Sequence, residues 1–278
     1  MTELYQEEIE QLKEEKEVLN ELSIMGQYDG EDRVITSHQA WEDLAKERSI
    51  PQVKFYSGLP QLDALLEGFR EGDLVVVSGL TKQGKTTFCQ SITSSMSAAD
   101  VSCLWFSYEM TQFEFLSKFG EKLPYFAMPR KLKGNSLRWL DEKIAEGQAK
   151  HKSKVVFIDH LHFLVDMQQM GKNGNVSLII GSIMRELKTI ALKRRICIFI
   201  VAHTTKIKFD QEPELADIRD SSFIGQEADT VLMIWRKKYE NVFNDKACLA
   251  VLANRHTGKI GKVGLILDKG KFWEEVKI

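Results

Sequence analysis

The residues best able to do chemistry begin with Gly79-Leu80-Thr81-Lys82-Gln83-Gly84-Lys85-Thr86, which meets every fixed position of the pattern G-x-x-x-x-G-K-[ST]. Such a loop holds phosphate for a physical reason. Its glycines let the backbone curl until successive N–H groups face one point, and the helix that follows adds the positive end of its dipole. Lys85 is then placed for the β- and γ-phosphates of a nucleotide, and the Thr86 hydroxyl for Mg²⁺. Gly79, Thr81, Lys82, Gln83, Gly84 and Thr87 complete the candidate contacts. The flanks agree: residues 74–78 are apolar and β-branched, as a buried parallel strand requires, and residues 87–92 can open a helix.

Four further side chains fit around such a loop. Asp159 follows the apolar run 155–158, the expected place for a carboxylate that orients the shell of a phosphate-bound Mg²⁺. Glu109 ends the strand-like segment Phe106-Ser107-Tyr108-Glu109-Met110. There it either holds an attacking water in line with the γ-phosphate or is an exposed glutamate favoured by a helix start. Its strand could neighbour the phosphate-loop strand or that strand's flank. His203 follows the apolar run 196–201, where a polar group can touch the γ-phosphate, although a lone histidine is more often structural. Arg255 sits between two C-terminal strand-like segments; it either reaches a neighbouring subunit's γ-phosphate or is an exposed hairpin arginine. Two polar loops, around 168–175 and 204–222, offer Lys172, Asn173, Lys206, Lys208, Arg219 and Ser221 to the phosphates of a single-stranded nucleic acid. Neither loop is rich in aromatics, and Asp210, Glu212 and Glu214 break any wide basic patch.

These groups need a scaffold, and the alternation from residue 53 onward supplies one. Strand-like runs at 74–78, 102–107, 154–158, 196–201 and 230–235 alternate with helical patterns, the mark of a parallel α/β sheet. A helical region is expected to follow the second strand to about residue 150, broken near Pro124 and Pro129, and a strong amphipathic helix spans 176–195. Segments near 247–253 and 263–267 read as a terminal hairpin. Before residue 51 lie two helical stretches, 1–23 and one beginning at Ser37, and Pro51 marks the boundary. The division is thus a helical arm over 1–50 and an α/β domain over 51–278. A hydrophobic fraction of 43% and a charged fraction of 28% fit a globular chain. No run reaches the roughly 20 apolar residues of a membrane helix, and the acidic start lacks the apolar centre of a leader. Cys89, Cys103, Cys197 and Cys248 are scattered without a C-x-x-C pair, which argues against zinc and for reduced thiols in a cytoplasmic setting. With a net charge of −2, any nucleic-acid binding must come from local cations.

Taken in order, these segments resemble the RecA-type ATPase domain of DnaB-family replicative helicases over roughly residues 53–275. The resemblance rests on Gly58-Leu59-Pro60-Gln61-Leu62-Asp63, Gly72-Asp73-Leu74, the phosphate loop, and Phe106-Ser107-Tyr108-Glu109-Met110, which is similar to the family's S-x-E-M. Ile158-Asp159-His160-Leu161-His162-Phe163 is similar to I-D-Y-L-Q-L, and Ile183-Met184-Arg185-Glu186-Leu187-Lys188 to I-S-R-x-L-K. The longest match runs from Asp217 to Asp229, similar to D-L-R-x-S-x-x-I-x-Q-x-A-D. The resemblance implies a RecA-like, mostly parallel twisted sheet flanked by helices and ATP-dependent unwinding of DNA. It implies a ring, expected to be hexameric, that grips single-stranded DNA and works beside other replication proteins in a bacterial or phage-infected cell, away from any membrane. It gives Glu109 the water, His203 the γ-phosphate and Arg255 the neighbour's γ-phosphate. Three features depart from the family pattern. His203 stands where bacterial members usually carry Gln, as in the phage primase–helicases and mitochondrial Twinkle. Ala253 stands where Lys is usual. About 50 mostly helical residues occupy the place of an N-terminal helical or zinc-binding domain. Two alternatives remain open on these residues: a RecA/RadA- or KaiC-like ATPase that does not unwind, and an accessory ATPase serving a partner.

Overall fold

The structure, a computed structural model, describes residues 2–47, 53–120, 122–133, 136–165, 176–204, 212, 214–218, 221–239 and 242–275. It divides into two units, Met1–Pro51 and Gln52–Ile278. The first holds helices α1 (Thr2–Met25) and α2 (Ser37–Glu47). Thr36 and Gln39 start α2 reciprocally: the Gln39 N–H donates to Thr36 Oγ1 at 3.2 Å, and the Thr36 N–H donates to Gln39 Oε1 at 3.0 Å.

In the second unit the order is β1 (Lys54–Phe55), α3 (Pro60–Leu66), β2 (Phe69–Arg70), β3 (Leu74–Gly79), α4 (Lys85–Ala98), β4 (Cys103–Ser107), α5 (Gln112–Ser117), α6 (Leu137–His151), β5 (Val155–Asp159), α7 (Val176–Arg194), β6 (Cys197–His203), α8 (Ser221–Glu227), β7 (Thr230–Tyr239), β8 (Val242–Asn254), β9 (Gly261–Asp268) and β10 (Lys271–Glu274). Among the described residues the main sheet has eight strands in the order β10-β9-β8-β7-β3-β6-β5-β4. From β7 to β4 neighbours run parallel, and β8, β9 and β10 are added antiparallel. The central strands are apolar along their whole length because helices cover both faces, and their alternation divides the core in two. Leu74, Val76, Val156, Ile158, Ile198 and Ile200 face α6 and α7. Val75, Val77, Trp105, Phe157, Phe199 and Val201 lie with α3, α4 and the end of the chain.

Three expectations need correction. The region between α5 and α6 holds no helix among its described residues, 118–120, 122–133 and 136. Gly120, Pro124 and Pro129 interrupt it, and the chain instead runs along the sheet edge: the Ala127 N–H donates to Cys103 O at 2.8 Å and the Trp105 N–H to Ala127 O at 2.9 Å. The C-terminal pair is larger than a hairpin of two short strands. β8 begins at Val242, and β10, which the sequence did not suggest, closes the edge. Finally β4, the strand leading to Glu109, is not beside β3. It is the edge strand, separated from β3 by β5 and β6.

Trp105 shows how the face that carries α4 is fixed. Its ring stacks on Phe157 at 4.7 Å, Phe157 stacks on Phe199 at 4.8 Å, and its Nε1–H donates to Thr93 Oγ1 on α4 at 2.9 Å. Trp105→Ala removes a fully buried ring and leaves a cavity beneath α4. The expected loss is about 3–5 kcal/mol of unfolding free energy, read as a lower urea midpoint.

Candidate active site

The loop after β3 and the ends of β4, β5 and β6 meet on one side of the sheet because parallel strands all finish at the same edge. β3 leads through α4 to β4 at that far edge, whereas β6 leads back across β3 to β7 on its other side. The chain thus leaves the β3–β6 pair in opposite directions, the arrangement that opens a binding crevice in α/β sheets. Gly79 and His203, in register across this pair, floor it. The crevice is a cleft of about 580 Å³, within the roughly 300–1,000 Å³ of small-molecule sites.

Two glycines have no substitute in the loop. A Cβ at Gly79 would lie 2.2 Å from the Ile234 carbonyl oxygen. Gly84 has φ 99°, and a Cβ there would meet the Phe272 ring at 2.9 Å. Between them Lys85, only 6% exposed, donates from Nζ to the carbonyls of Gly79 at 2.9 Å and Leu80 at 3.1 Å. Burial lowers its pKa, and the nearby Asp159 and Glu109 carboxylates oppose that shift. Thr81, Lys82, Gly84, Thr86 and Thr87 line the cleft with it. Gln83 does something else: buried, it accepts the Arg236 backbone N–H at 2.6 Å and ties the loop to β7.

Thr86 Oγ1 donates to Asp159 Oδ2 at 2.7 Å. Asp159 is fully buried, and its other oxygen, Oδ1, has no hydrogen-bond partner among the described residues; neither does the buried hydroxyl of Ser107, its register partner on β4. A hydroxyl, a carboxylate with a spare buried oxygen and a second idle hydroxyl form an all-oxygen donor set that suits a hard cation such as Mg²⁺. Burial raises the Asp159 carboxyl to about 6, against the Thr86 hydrogen bond and with help from Glu109. The Asp159–His160 peptide is cis. Glu109 is exposed and lines the cleft beside Lys85, Thr86 and His203. The His160 ring meets His203 edge to face at 4.3 Å between centroids. Burial, with the neighbouring histidines, pushes His160 down to about 3, so it is a neutral imidazole.

Arg255 is elsewhere. β8 runs antiparallel to β7 and pairs Asn254 with Thr230, which returns Arg255 to the end of the sheet where β3 begins. Its N–H donates to Asp229 O at 2.8 Å, its side chain to Gln226 O and Asp229 Oδ1, and the Asp229 N–H donates to Leu74 O at 2.9 Å. Arg255 is therefore separated from its own phosphate loop by the length of β3, about 17 Å at strand rise. The side chain is half exposed. Lys172, Asn173, Lys206, Lys208 and Arg219 lie outside the described residues. Ser221 opens α8, and its side chain lies outside them as well. Both loops leave from the cleft side of the sheet, after β5 and β6, and an antiparallel bridge from Thr204 to Ile218 closes the second.

Several cleft residues escaped the sequence reading: Met110, Glu114, Lys118, Arg236 and Leu267. Arg236 directly follows a legible apolar run. Leu267 arrives from β9 across two antiparallel connections and carried no local signal.

The DnaB-like helicase C-terminal domain family matches residues 55–123 and 126–272. Among curated proteins the chain is similar to a probable replicative DNA helicase of Trieres chinensis (26% identity, 79% of this chain and 57% of the relative), and to the replicative DNA helicase DnaC of Bacillus subtilis (24%, 77% and 54%). It is also similar to the replicative DNA helicase DnaB of Mycoplasma pneumoniae (29%, 77% and 52%). The chain thus spans about half the length of these relatives. Among solved structures it superposes on one described as an ATPase domain with a TM-score of 0.71 at 20% identity (90% of this chain, 100% of that one). A DnaB-like replicative helicase described with its interactions with primase superposes with a TM-score of 0.68 at 21% identity (93% and 71%). The fold is that of RecA-like helicase ATPase domains.

The buried Asp159 generates a pH prediction. Its folded value of about 6 lies above the usual 3.8, so the ligand-free folded chain holds that proton more tightly than the unfolded chain. The associated stability is complete below about pH 4 and is lost as pH rises through about 6. In metal-free buffer the urea midpoint of Asp159→Asn should fall less than wild type between those limits, while its Mg²⁺-dependent nucleotide binding weakens.

Proposed function

Because this chain belongs to the DnaB-like helicase C-terminal domain family, we propose that it is the ATP-hydrolysing motor of a replicative DNA helicase. One observation carries the reading. Lys85, the Thr86–Asp159 pair and Glu109 surround one cleft, while Arg255 stands at the opposite end of the same strands. That division suits an enzyme whose site is completed by the next subunit, in a ring that we take to be a hexamer.

The roles follow from position. The loop N–H groups and Lys85 bind the phosphates of ATP, Lys85 being held at the site by the Gly79 and Leu80 carbonyls until the nucleotide replaces them. Thr86 and Asp159 would hold Mg²⁺, which would supply neutralisation of phosphate charge. Glu109 sits on exposed chain beside them and orients the attacking water. His203, at the end of β6, faces the same space and relays the presence of the γ-phosphate to the loop beyond Thr204. Arg255 stabilises the transition state in the adjoining subunit. Lys172, Asn173, Lys206, Lys208, Arg219 and Ser221 contact the phosphates of single-stranded DNA, and six copies around a channel offset a weakly acidic chain. The arm over 1–50 and other replication proteins, a primase among them, connect this motor to a replication fork in the cytoplasm. No described helix is long and apolar enough to cross a membrane.

The first test is ATP hydrolysis with and without single-stranded DNA. Wild type should be stimulated strongly, and Lys85→Ala should be inactive; turnover indifferent to DNA would sink the motor reading. Arg255→Ala should bind nucleotide normally while turnover falls by about 10³-fold or more. Mixing it with Lys85→Ala should restore part of the turnover, because each Arg255→Ala subunit then borrows an arginine from a neighbour. No recovery on mixing would place Arg255 outside the shared site.

A further inference from the structure

The Glu109 carboxylate and the imidazoles of His160 and His203 bring ligand atoms within 4.8 Å of one another. Each comes from a different one of three adjacent parallel strands: Glu109 lies beyond the end of β4, His160 directly follows β5, and His203 ends β6. The rings of His160 and His203 meet at 4.3 Å, and His162 stands at 5.6 and 5.9 Å from them. Three of the chain's 6 histidines therefore gather at one strand edge.

We propose that Glu109, His160 and His203 form a binding site for a divalent transition ion of the Zn²⁺ class, distinct from the oxygen-lined position at Thr86 and Asp159. Imidazole nitrogen suits Zn²⁺, Ni²⁺ and Co²⁺ and is a poor donor for Mg²⁺. Two histidines and one glutamate, with a fourth position left for water, are an established zinc donor set. Bonds of about 2.0–2.1 Å in a tetrahedron place donor atoms roughly 3.4 Å apart, so the ligands must close by up to about 1.4 Å. Glu109 is the exposed member and supplies that movement. The ion would take Glu109 away from the water and His203 away from the nucleotide, so occupancy halts turnover. That inhibitory half rests on the ATPase reading; the binding half does not.

A second cluster, Asp73, Asp229 and His256, is equally compact. There the Lys188 ammonium, 2.6 Å from Asp229 Oδ2, already supplies the cation and repels another. It serves as the internal control.

The test uses the full chain, stripped with chelator and held in excess Mg²⁺. Zn²⁺ binding is read by equilibrium dialysis, and ligand geometry by the visible absorption of Co²⁺. Wild type should bind one ion with a tetrahedral Co²⁺ spectrum. His160→Tyr and the exposed variant Glu109→Gln should each weaken binding by about tenfold or more, and His256→Ala should not. In Mg²⁺–ATP assays Zn²⁺ should inhibit wild type, and His160→Tyr should raise the inhibitory concentration by the same factor, each protein being measured against its own metal-free turnover. Wild-type affinity in Glu109→Gln and His160→Tyr, or loss of the ion in His256→Ala, would overturn the site. If the chain shows no ATP turnover, the motor reading fails while dialysis still decides the metal site.

Discussion

A lysine ammonium sits almost out of water at the start of α4, and the rest of the nucleotide cleft depends on keeping it there. Burial disfavours its charge, so Lys85 needs acceptors, and the Gly79 and Leu80 carbonyls provide them only because the backbone turns back on itself between β3 and α4. That turn needs a glycine where Ile234 O crowds Gly79 and another where Phe272 crowds Gly84. It also needs β3 in the middle of the sheet, where β6 and β7 immobilise both of its sides. Asp159, two strands away, supplies the nearest opposite charge and in turn depends on Thr86 for its hydrogen bond. One buried cation thus explains why the loop, the central strand and a distant carboxylate act as a unit.

Much of this was legible in the sequence for a physical reason. Parallel strands covered on both faces must be apolar throughout, so residues 74–78, 155–158 and 196–201 announced themselves, and the residue after each run had to lie at the same sheet edge. Asp159 was found by that rule, Lys85 and Thr86 by the phosphate-loop pattern, and Glu109 and His203 as candidates beyond strand ends whose roles the resemblance implied; the structure brings the five together. What depends on register was not legible. Nothing local placed β4 at the edge instead of beside β3, and nothing local announced that Leu267 would wall the cleft, whereas Arg236, directly after the apolar run 230–235, obeys the same rule. A helical region to about residue 150, broken near Pro124 and Pro129, was expected; the broken stretch instead pairs with the sheet edge at Ala127.

The two ends of the strands carry different loads. At the cleft end the charges are arranged around space for a ligand, with oxygens left idle on Asp159 and Ser107. At the other end Asp229 is fully engaged by the Leu74 N–H, the Lys188 ammonium and Arg255, and Asp73 pairs with His256. The second arrangement is a brace. It fixes where β3 starts and, through the same carboxylate, where the Arg255 side chain begins its reach. A change at Asp229 would therefore disturb the strand and the arginine together.

The clamp that β10 places over the phosphate loop has a consequence for synthesis. The Phe272 N–H donates to Ser91 Oγ on α4, a contact between residues 181 positions apart, and its ring packs against Gly84. The phosphate loop is translated well before Phe272, the residue that walls it. Until then the loop lacks the aromatic lid that sets its curvature. A nascent chain stalled before β10 would carry every phosphate-binding residue and still have no finished pocket, so nucleotide capture is a late checkpoint on whether this domain has been made in full.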